Sequence, residues 1–333
     1  MKFLIIRFSS IGDIVLTTPV IRCLKQQVPK SEVHFLSKFS FKNILEHNPY
    51  INKLFLLDND WEVLLHRLKL EEYDYIIDLH NNIRTLKIKQ SLKVKSFSFY
   101  KLNIEKWLLT VLKINRLPKK HIVDRNLETV KFFNVENDGL GLDYFIHEKD
   151  VVQTNDIPAS HRMGFIAIVI GAALHTKKLP THKLIELCNL IQHPIILLGG
   201  PEDKEIGNEI AKQDDVKIYN ACGKFNLNES ADLVRKSKFV ITHDTGLMHI
   251  AAAFKKPIIS VWGNTIPAFG MNAYYGNQLV ENKIFEVENI NCRPCSKIGY
   301  KACPRKHFKC MEQQDINAIS SIALKWAVRF YNK

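Results

Sequence analysis

Short apolar runs alternate with amphipathic stretches along nearly the whole chain, in the rhythm of strand and helix. In the first half, Lys2–Phe8, Glu32–Ser37, Lys53–Leu57, Tyr75–Leu79 and Val94–Phe99 are predicted as buried parallel strands. Between them, Val20–Gln27, Phe41–His47 and Trp61–Leu70 space their apolar residues as helices do. The second half follows the same scheme. Strands are predicted at Gly164–Ile170, Pro194–Leu198, Val216–Asn220, Phe239–Thr242 and Pro257–Val261. Helices are predicted at Thr181–Ile191, Glu205–Lys212, Leu227–Lys236 and Leu247–Phe254, with a last amphipathic helix at Ile316–Tyr331. Two successive βαβ series imply an α/β chain of two doubly wound parallel sheets. His147–Met163 is polar, contains Pro158 and has no clear periodicity, which places the join there. The expected domains are 1–155 and 156–315, with 316–333 a C-terminal helix packing back toward the first. Such sheets bind ligands at their carboxyl edges, so two facing edges are expected to make an interdomain cleft.

Length and charge sharpen this picture. The 333 residues suffice for two cores, and the formal charge of +13 fits an anionic partner such as a nucleotide, a phosphorylated glycolipid or a membrane surface. The lysines are spread through the chain, and no basic tract interleaved with aromatics stands out, so nucleic-acid binding is the weaker alternative. The opening MKFLIIRFSSIGD lacks the pattern of a signal peptide, and no apolar run reaches bilayer-spanning length. A cytoplasmic location is expected, and the seven cysteines are then not a disulfide framework.

The densest chemistry lies in KFVITHDTGLMHIAAAF, Lys238 to Phe254. An apolar strand ends in His243-Asp244-Thr245-Gly246 and turns into an alanine-rich helix. The free N–H groups of a first helical turn favour negative charge, and a glycine there lets a ligand approach the backbone. Thr245 adds a hydroxyl and His249 a ring one turn on. An ordinary corner with an Asp cap explains the stretch equally well. After the strand at 164–170 comes GAALHTKKLP, where Thr176 and Lys177 suit a diphosphate and a solvated basic loop is the plainer reading. At Gly199-Gly200-Pro201-Glu202-Asp203 an acidic side chain is placed to hold ribose hydroxyls. In the first half, Ser9-Ser10-Ile11-Gly12-Asp13 follows the first strand. Asp13 is placed either to take a proton from an attacking hydroxyl or to cap the next helix.

SSIGD, TKKLP, GGPED and HDTGLMHIAAA occur in this order, and PIISVWGNTIP follows them. Together they resemble the bacterial heptosyltransferases of glycosyltransferase family 9, over nearly the whole chain. The resemblance implies a GT-B fold, with acceptor on the N-terminal and nucleotide sugar on the C-terminal domain. It implies inverting transfer of heptose from a nucleoside diphosphate, ADP being usual, to a lipopolysaccharide inner-core acceptor. It makes Asp13 the catalytic base, with Ser10 a sugar contact beside it. It puts Lys177, Thr176, Thr245 and Gly246 on the diphosphate, Asp244 near the donor sugar, and Glu202 or Asp203 on the ribose. Arg84, His121 and Arg125 fall on acceptor-side positions facing a lipid A–Kdo type glycolipid, though helix-to-sheet bridging explains His121 and Arg125 as well. No cofactor is required, and a D-x-D pair, the mark of a metal-held diphosphate, is expected at no strand end. The implied place is the cytoplasm, with peripheral contact on the inner face of the inner membrane.

Cys292, Cys295, Cys303 and Cys310 stand as C-x₂-C-x₇-C-x₆-C, with His307 among them, a structural zinc candidate. Reduced, packed thiols are the equal alternative. Seven basic residues from Arg293 to Lys309, counting His307, surround them as a membrane or acceptor patch. A sugar-nucleotide epimerase of similar fold is the rival enzyme, and the SSIGD loop favours transfer.

Overall fold

The computed structural model describes residues 1–58 and 60–330. β1 (Lys2–Ile6), β2 (Glu32–Lys38), β3 (Lys53–Leu57), β4 (Tyr75–Asp78) and β5 (Lys95–Ser98) form a parallel sheet in the order β3-β2-β1-β4-β5. β6 (Ile166–Val169), β7 (Ile195–Leu198), β8 (Ile218–Asn220), β9 (Val240–His243), β10 (Ile258–Trp262) and β11 (Asn282–Glu286) form a second, in the order β11-β10-β9-β6-β7-β8. Both orders are Rossmann-like. In each, the chain winds one way from the first strand and then returns to pair on its other side. The gap between β1 and β4, and that between β6 and β9, is therefore a topological switch point, where the loops leaving two neighbouring strands diverge and leave a crevice.

Burial explains why the strand runs were readable. Leu4, Ile6, Leu36 and Phe55 lie in the first core, and Ile166, Ile168, Leu197, Ile241 and Ile259 in the second. Parallel strands covered on both faces must be apolar on both. Helix starts follow capping chemistry. Asn226 accepts from the Asn228 and Glu229 amides to open Leu227–Lys236, and Asp315 accepts from Ala318 to open Ile316–Arg329. β11 was not expected, because it is a half-exposed edge strand of mixed polarity with no apolar run.

By its contacts the chain divides into two compact units: 1–102, 119–145 and 274–278 in one, and 103–118, 146–273 and 279 onward in the other. The break after Phe145 comes earlier than the polar stretch suggested, and short segments from each half belong to the other unit. The last helix was expected to pack toward the first domain. Its apolar face, Ile319, Ala323 and Trp326, is instead buried in the core of the second unit. The end of that predicted helix, Tyr331, lies outside the described residues. No described helix is long and apolar enough to cross a membrane.

Candidate active site

The second sheet's switch point joins the loop after β6 to the turn after β9. Lys177, from the first, sets its Nζ 2.6 Å from Asp244 Oδ2 in the second and donates to the Asp244 carbonyl at 3.3 Å. Thr265, beyond β10, donates to the same Oδ2 at 2.9 Å. Helix Gly246–Ala253 starts here with Thr245 at its cap position. The Thr245 hydroxyl makes no cap bond; it lies 3.3 Å from Thr242 Oγ1. The first-turn N–H groups are thus left without the usual side-chain acceptor, beside a lysine. Gly246 is the first helical residue and is not among the positive-φ glycines, so its value here is a bare approach to the backbone.

Two glycines at strand ends, Gly171 and Gly199, have a packing explanation. A Cβ on Gly171 would come 2.3 Å from Asp203 Oδ2, and one on Gly199 2.8 Å from the same atom. They make room for a buried carboxylate. Asp203 is 1% exposed, pairs with Lys178 Nζ at 2.6 Å and accepts from the Gly200 amide at 3.0 Å. Both its oxygens are engaged, which corrects its expected place on a ribose and leaves exposed Glu202 as the acid that can serve there. Thr176 is corrected likewise. It is 1% exposed, its hydroxyl donates to the Tyr300 carbonyl at 3.1 Å and accepts from the Tyr300 amide at 2.7 Å, so it pins the cysteine loop instead of meeting a ligand. His249 is buried inside its helix face rather than presented at the turn.

Sequence reading gave His243 no role. It is buried, and its Nε2 accepts from the Leu179 amide at 3.0 Å, which brackets the Lys177–Lys178 loop to the end of β9. Burial above all, with Lys178 nearby, pushes this imidazole down to about 3. It is therefore a neutral bracket. A histidine directly before the Asp-Thr-Gly turn was the available signal.

At the first sheet's switch point, Asp13 sits in the third position of helix Ile11–Val15. Its Oδ2 accepts from Ser10 Oγ at 2.8 Å and from the Ser10 amide at 3.2 Å. Its Oδ1 lies 2.7 Å from Arg7 NH2. Arg7, a residue with no assigned role in the sequence, also donates to Ser9 O at 2.7 Å and to Leu79 O at 2.6 Å. It thereby ties the loop after β1 to the loop after β4 and fixes the carboxylate. An arginine closing an apolar strand is the signal for it, since a nearly buried cation needs partners. His80 lies in the electrostatic neighbourhood of Arg7 and Asp13. Burial first, then Arg7 and Lys101, pushes its imidazole down to about 4.

The three acceptor-side candidates differ in exposure and in partners. Arg84 is exposed on helix Ile83–Leu92. Arg125 is 4% exposed, with its guanidinium over the Phe99 ring at 5.5 Å, a packing role that corrects the expected anion contact. His121 accepts from the Val123 amide at 3.2 Å as a helix cap and stacks on Tyr274 at 4.6 Å. A D-x-D pair does stand at a strand end, contrary to expectation: Asp58-Asn59-Asp60 follows β3. Asp60 Oδ1 accepts from the Val63 amide to cap a helix, and Asp58 Oδ1 from the Asp60 amide.

Cys292, Cys295 and Cys303 lie in one loop of the second unit, and Cys310 in the short helix Lys309–Glu312 that follows it. Cys292 Sγ is 3.7 Å from His307 Nε2, and the Cys310 thiol is pushed up to about 12 by burial and then by its neighbours Cys295, Cys303 and Cys292. Among the described residues, though, the ligand atoms close enough together for one ion are those of Glu32, His34 and Glu71. Lys2 and Lys53 already pair with Glu71 there.

Known proteins fit this geometry. Residues 61–304 match glycosyltransferase family 9 (heptosyltransferase). The chain is 25% identical over 304 residues to lipopolysaccharide heptosyltransferase 1 of Campylobacter coli, covering 83% of this chain and 87% of that one. Its fold is that of a family 9 glycosyl transferase from Veillonella parvula, with TM-score 0.76 and 21% identity over 98% of this chain and 97% of that one. It is also that of E. coli heptosyltransferase WaaC solved with ADP, with TM-score 0.68 and 19% identity over 98% and 100%. The two Rossmann-like domains are a GT-B fold, and the chain is an enzyme belonging to glycosyltransferase family 9, the heptosyltransferases.

Proposed function

We propose that this protein transfers heptose from a nucleoside diphosphate, ADP-heptose, to the inner core of lipopolysaccharide, with inversion and without a metal. The observation that carries the reading is the Lys177–Asp244 pair beside the side-chain-uncapped start of helix Gly246–Ala253. A departing diphosphate gains negative charge, and a lysine with helix N–H groups can meet it. On this reading Glu202 holds the ribose hydroxyls. The acceptor oxygen bonds to the anomeric carbon as the bond from that carbon to the diphosphate breaks, and the acceptor proton passes to the Asp13 carboxylate. Ser10 and Arg7 hold that carboxylate in place. Arg84 is the exposed cation left to meet acid groups of a lipid A–Kdo type acceptor. Support for the sugar and acceptor comes from the Campylobacter coli relative's name, and for adenosine from the E. coli structure solved with ADP.

The test is ADP release from ADP-heptose with and without a Kdo–lipid A acceptor, each in EDTA. Release only with acceptor, unchanged in initial rate by EDTA, is the expected result. Turnover of the sugar nucleotide without acceptor points to an epimerase. Activity abolished by EDTA and restored by Mg²⁺ removes the metal-free mechanism.

A further inference from the structure

Residues 103–112 form one helical stretch, Asn103–Trp107 running on into a wider turn at Leu108–Leu112. Ile104, Trp107, Leu108, Val111 and Leu112 follow the i, i+3, i+4, i+7, i+8 spacing of an apolar helix face. In a globular protein such a stripe turns to the core. Here Leu109, outside the stripe, is the buried residue, while Ile104 is 66%, Trp107 53%, Val111 56% and Leu112 51% exposed.

The outward direction is fixed by tethers within the second unit. Lys113 Nζ donates to the carbonyls of Cys292 at 3.0 Å and Pro294 at 2.8 Å. Asn103 Oδ1 accepts from Lys297 Nζ at 3.4 Å, which brings the loop after Ser296 alongside. That loop adds Ile298, 60% exposed, and Tyr300, 40% exposed, and is itself pinned by Thr176. The apolar face is therefore held open on a braced platform. Its surroundings are mostly basic. Lys106, Lys113 and Arg116 on one segment and Lys297, Lys301, Arg305 and Lys306 on the other meet a single acid, Glu105, within 103–118 and 297–306, and one further acid, Glu288, lines the same cavity as Val111 and Lys113.

We propose that this face docks the enzyme on an anionic phospholipid bilayer, with Trp107 at its centre. A tryptophan and branched aliphatics flanked by lysine and arginine match the layering of a membrane interface. The apolar side chains enter the boundary of headgroups and acyl chains, and the cations stay among the phosphates. The excess of positive charge selects an anionic surface over a neutral apolar partner. The inference deepens the reading above, whose acceptor is a glycolipid, by naming how the enzyme meets the surface that presents it.

The test is co-sedimentation with vesicles of phosphatidylglycerol and phosphatidylethanolamine that contain no glycolipid, so binding is read independently of transfer. The protein should pellet with these vesicles, pellet less as salt rises, and stay in solution with phosphatidylcholine vesicles. Trp107→Glu with Val111→Glu should abolish binding. Lys297→Gln and Lys301→Gln should each weaken it about fivefold. Blue-shifted tryptophan emission on binding should vanish in Trp107→Phe. Retained ADP affinity in each variant certifies the fold. Failure of the parent protein to bind, or unchanged binding by the double Glu variant, overturns the proposal, as does a dimer that Trp107→Glu dissociates without vesicle binding. Transfer to a detergent-solubilised acceptor without vesicle binding defeats this proposal alone, and vesicle binding without any transfer defeats the reading above alone.

Discussion

Asp13 has two roles available to one carboxylate. It closes a capping box with Ser10 and it pairs with Arg7. A cap or a part-exposed ion pair is worth about 1 kcal/mol, whereas a general base is worth about 10²–10⁴ in rate. Asp13→Asn keeps the shape and loses the proton acceptor. The turnover number should fall by a factor of that order, the donor KM should hold, and urea unfolding should change by about 1 kcal/mol or less. Normal turnover with lowered stability would leave Asp13 a cap. Lys177 differs, since its charge is held by Asp244 until a stronger anion arrives. Lys177→Ala should weaken ADP much more than adenosine in calorimetric titration, a charge-assisted contact being worth about 1.5–3 kcal/mol. Equal losses would mean the lysine only braces the loop. Lys177 and Asp244 could be singled out because each lies in a loop of suggestive composition that follows a strand, Asp244 directly after β9 and Lys177 further along the loop after β6. Thr176, Asp203 and Arg125 were misassigned for one shared reason. Each has the chemistry of a ligand contact, and only burial reveals that a loop backbone, a second lysine or an aromatic ring already engages it.

Elements carry the bracket between β9 and the lysine loop. His243 is neutral when folded, with its imidazole pushed down to about 3, against about 6.5 in an unfolded chain. Above pH 6.5 both states hold it neutral, and the pairing with Leu179 is intact. As pH falls below that, the unfolded chain takes the proton and the folded one does not, so stability drains away toward pH 3. Between pH 6.5 and pH 5 the loss is ~2 kcal/mol at ~1.4 kcal/mol per unit. His243→Gln keeps an acceptor for the amide and cannot titrate. Urea unfolding at the two pH values should show a shallower loss in the variant, and parallel losses would dismiss the bracket as the acid-sensitive group. Elements were easiest to foresee where both faces are buried. β11 and helix Ile83–Leu92 were not foreseen, since the edge strand is half wet and the helix buries only Thr85 and Ile88.

At the scale of the whole molecule, the alternation of apolar runs disclosed two parallel sheets, since covered strands cannot hide their composition. It did not disclose where the chain passes between units. Residues 103–118 and 274–278 belong with the half that the linear order does not suggest, and no composition marks such an exchange. Nor did it disclose which basic residues matter. A charge of +13 spread along the chain becomes informative only when folding lines part of it beside exposed Trp107 and Ile298.

The order of strands in the second sheet also bears on how such an enzyme can change over generations. Lys177 and Asp244 are 67 positions apart, yet they follow β6 and β9, which pair directly. Between the lysine loop and β9 the chain makes an excursion, β7, β8 and their helices, to one side of the sheet. Lengthening or rewriting that excursion moves neither member of the pair, provided β6 and β9 still zip together. Most of the intervening sequence is thus free to drift under packing constraints alone, which is how a chain can keep this architecture at 21% identity to the Veillonella enzyme.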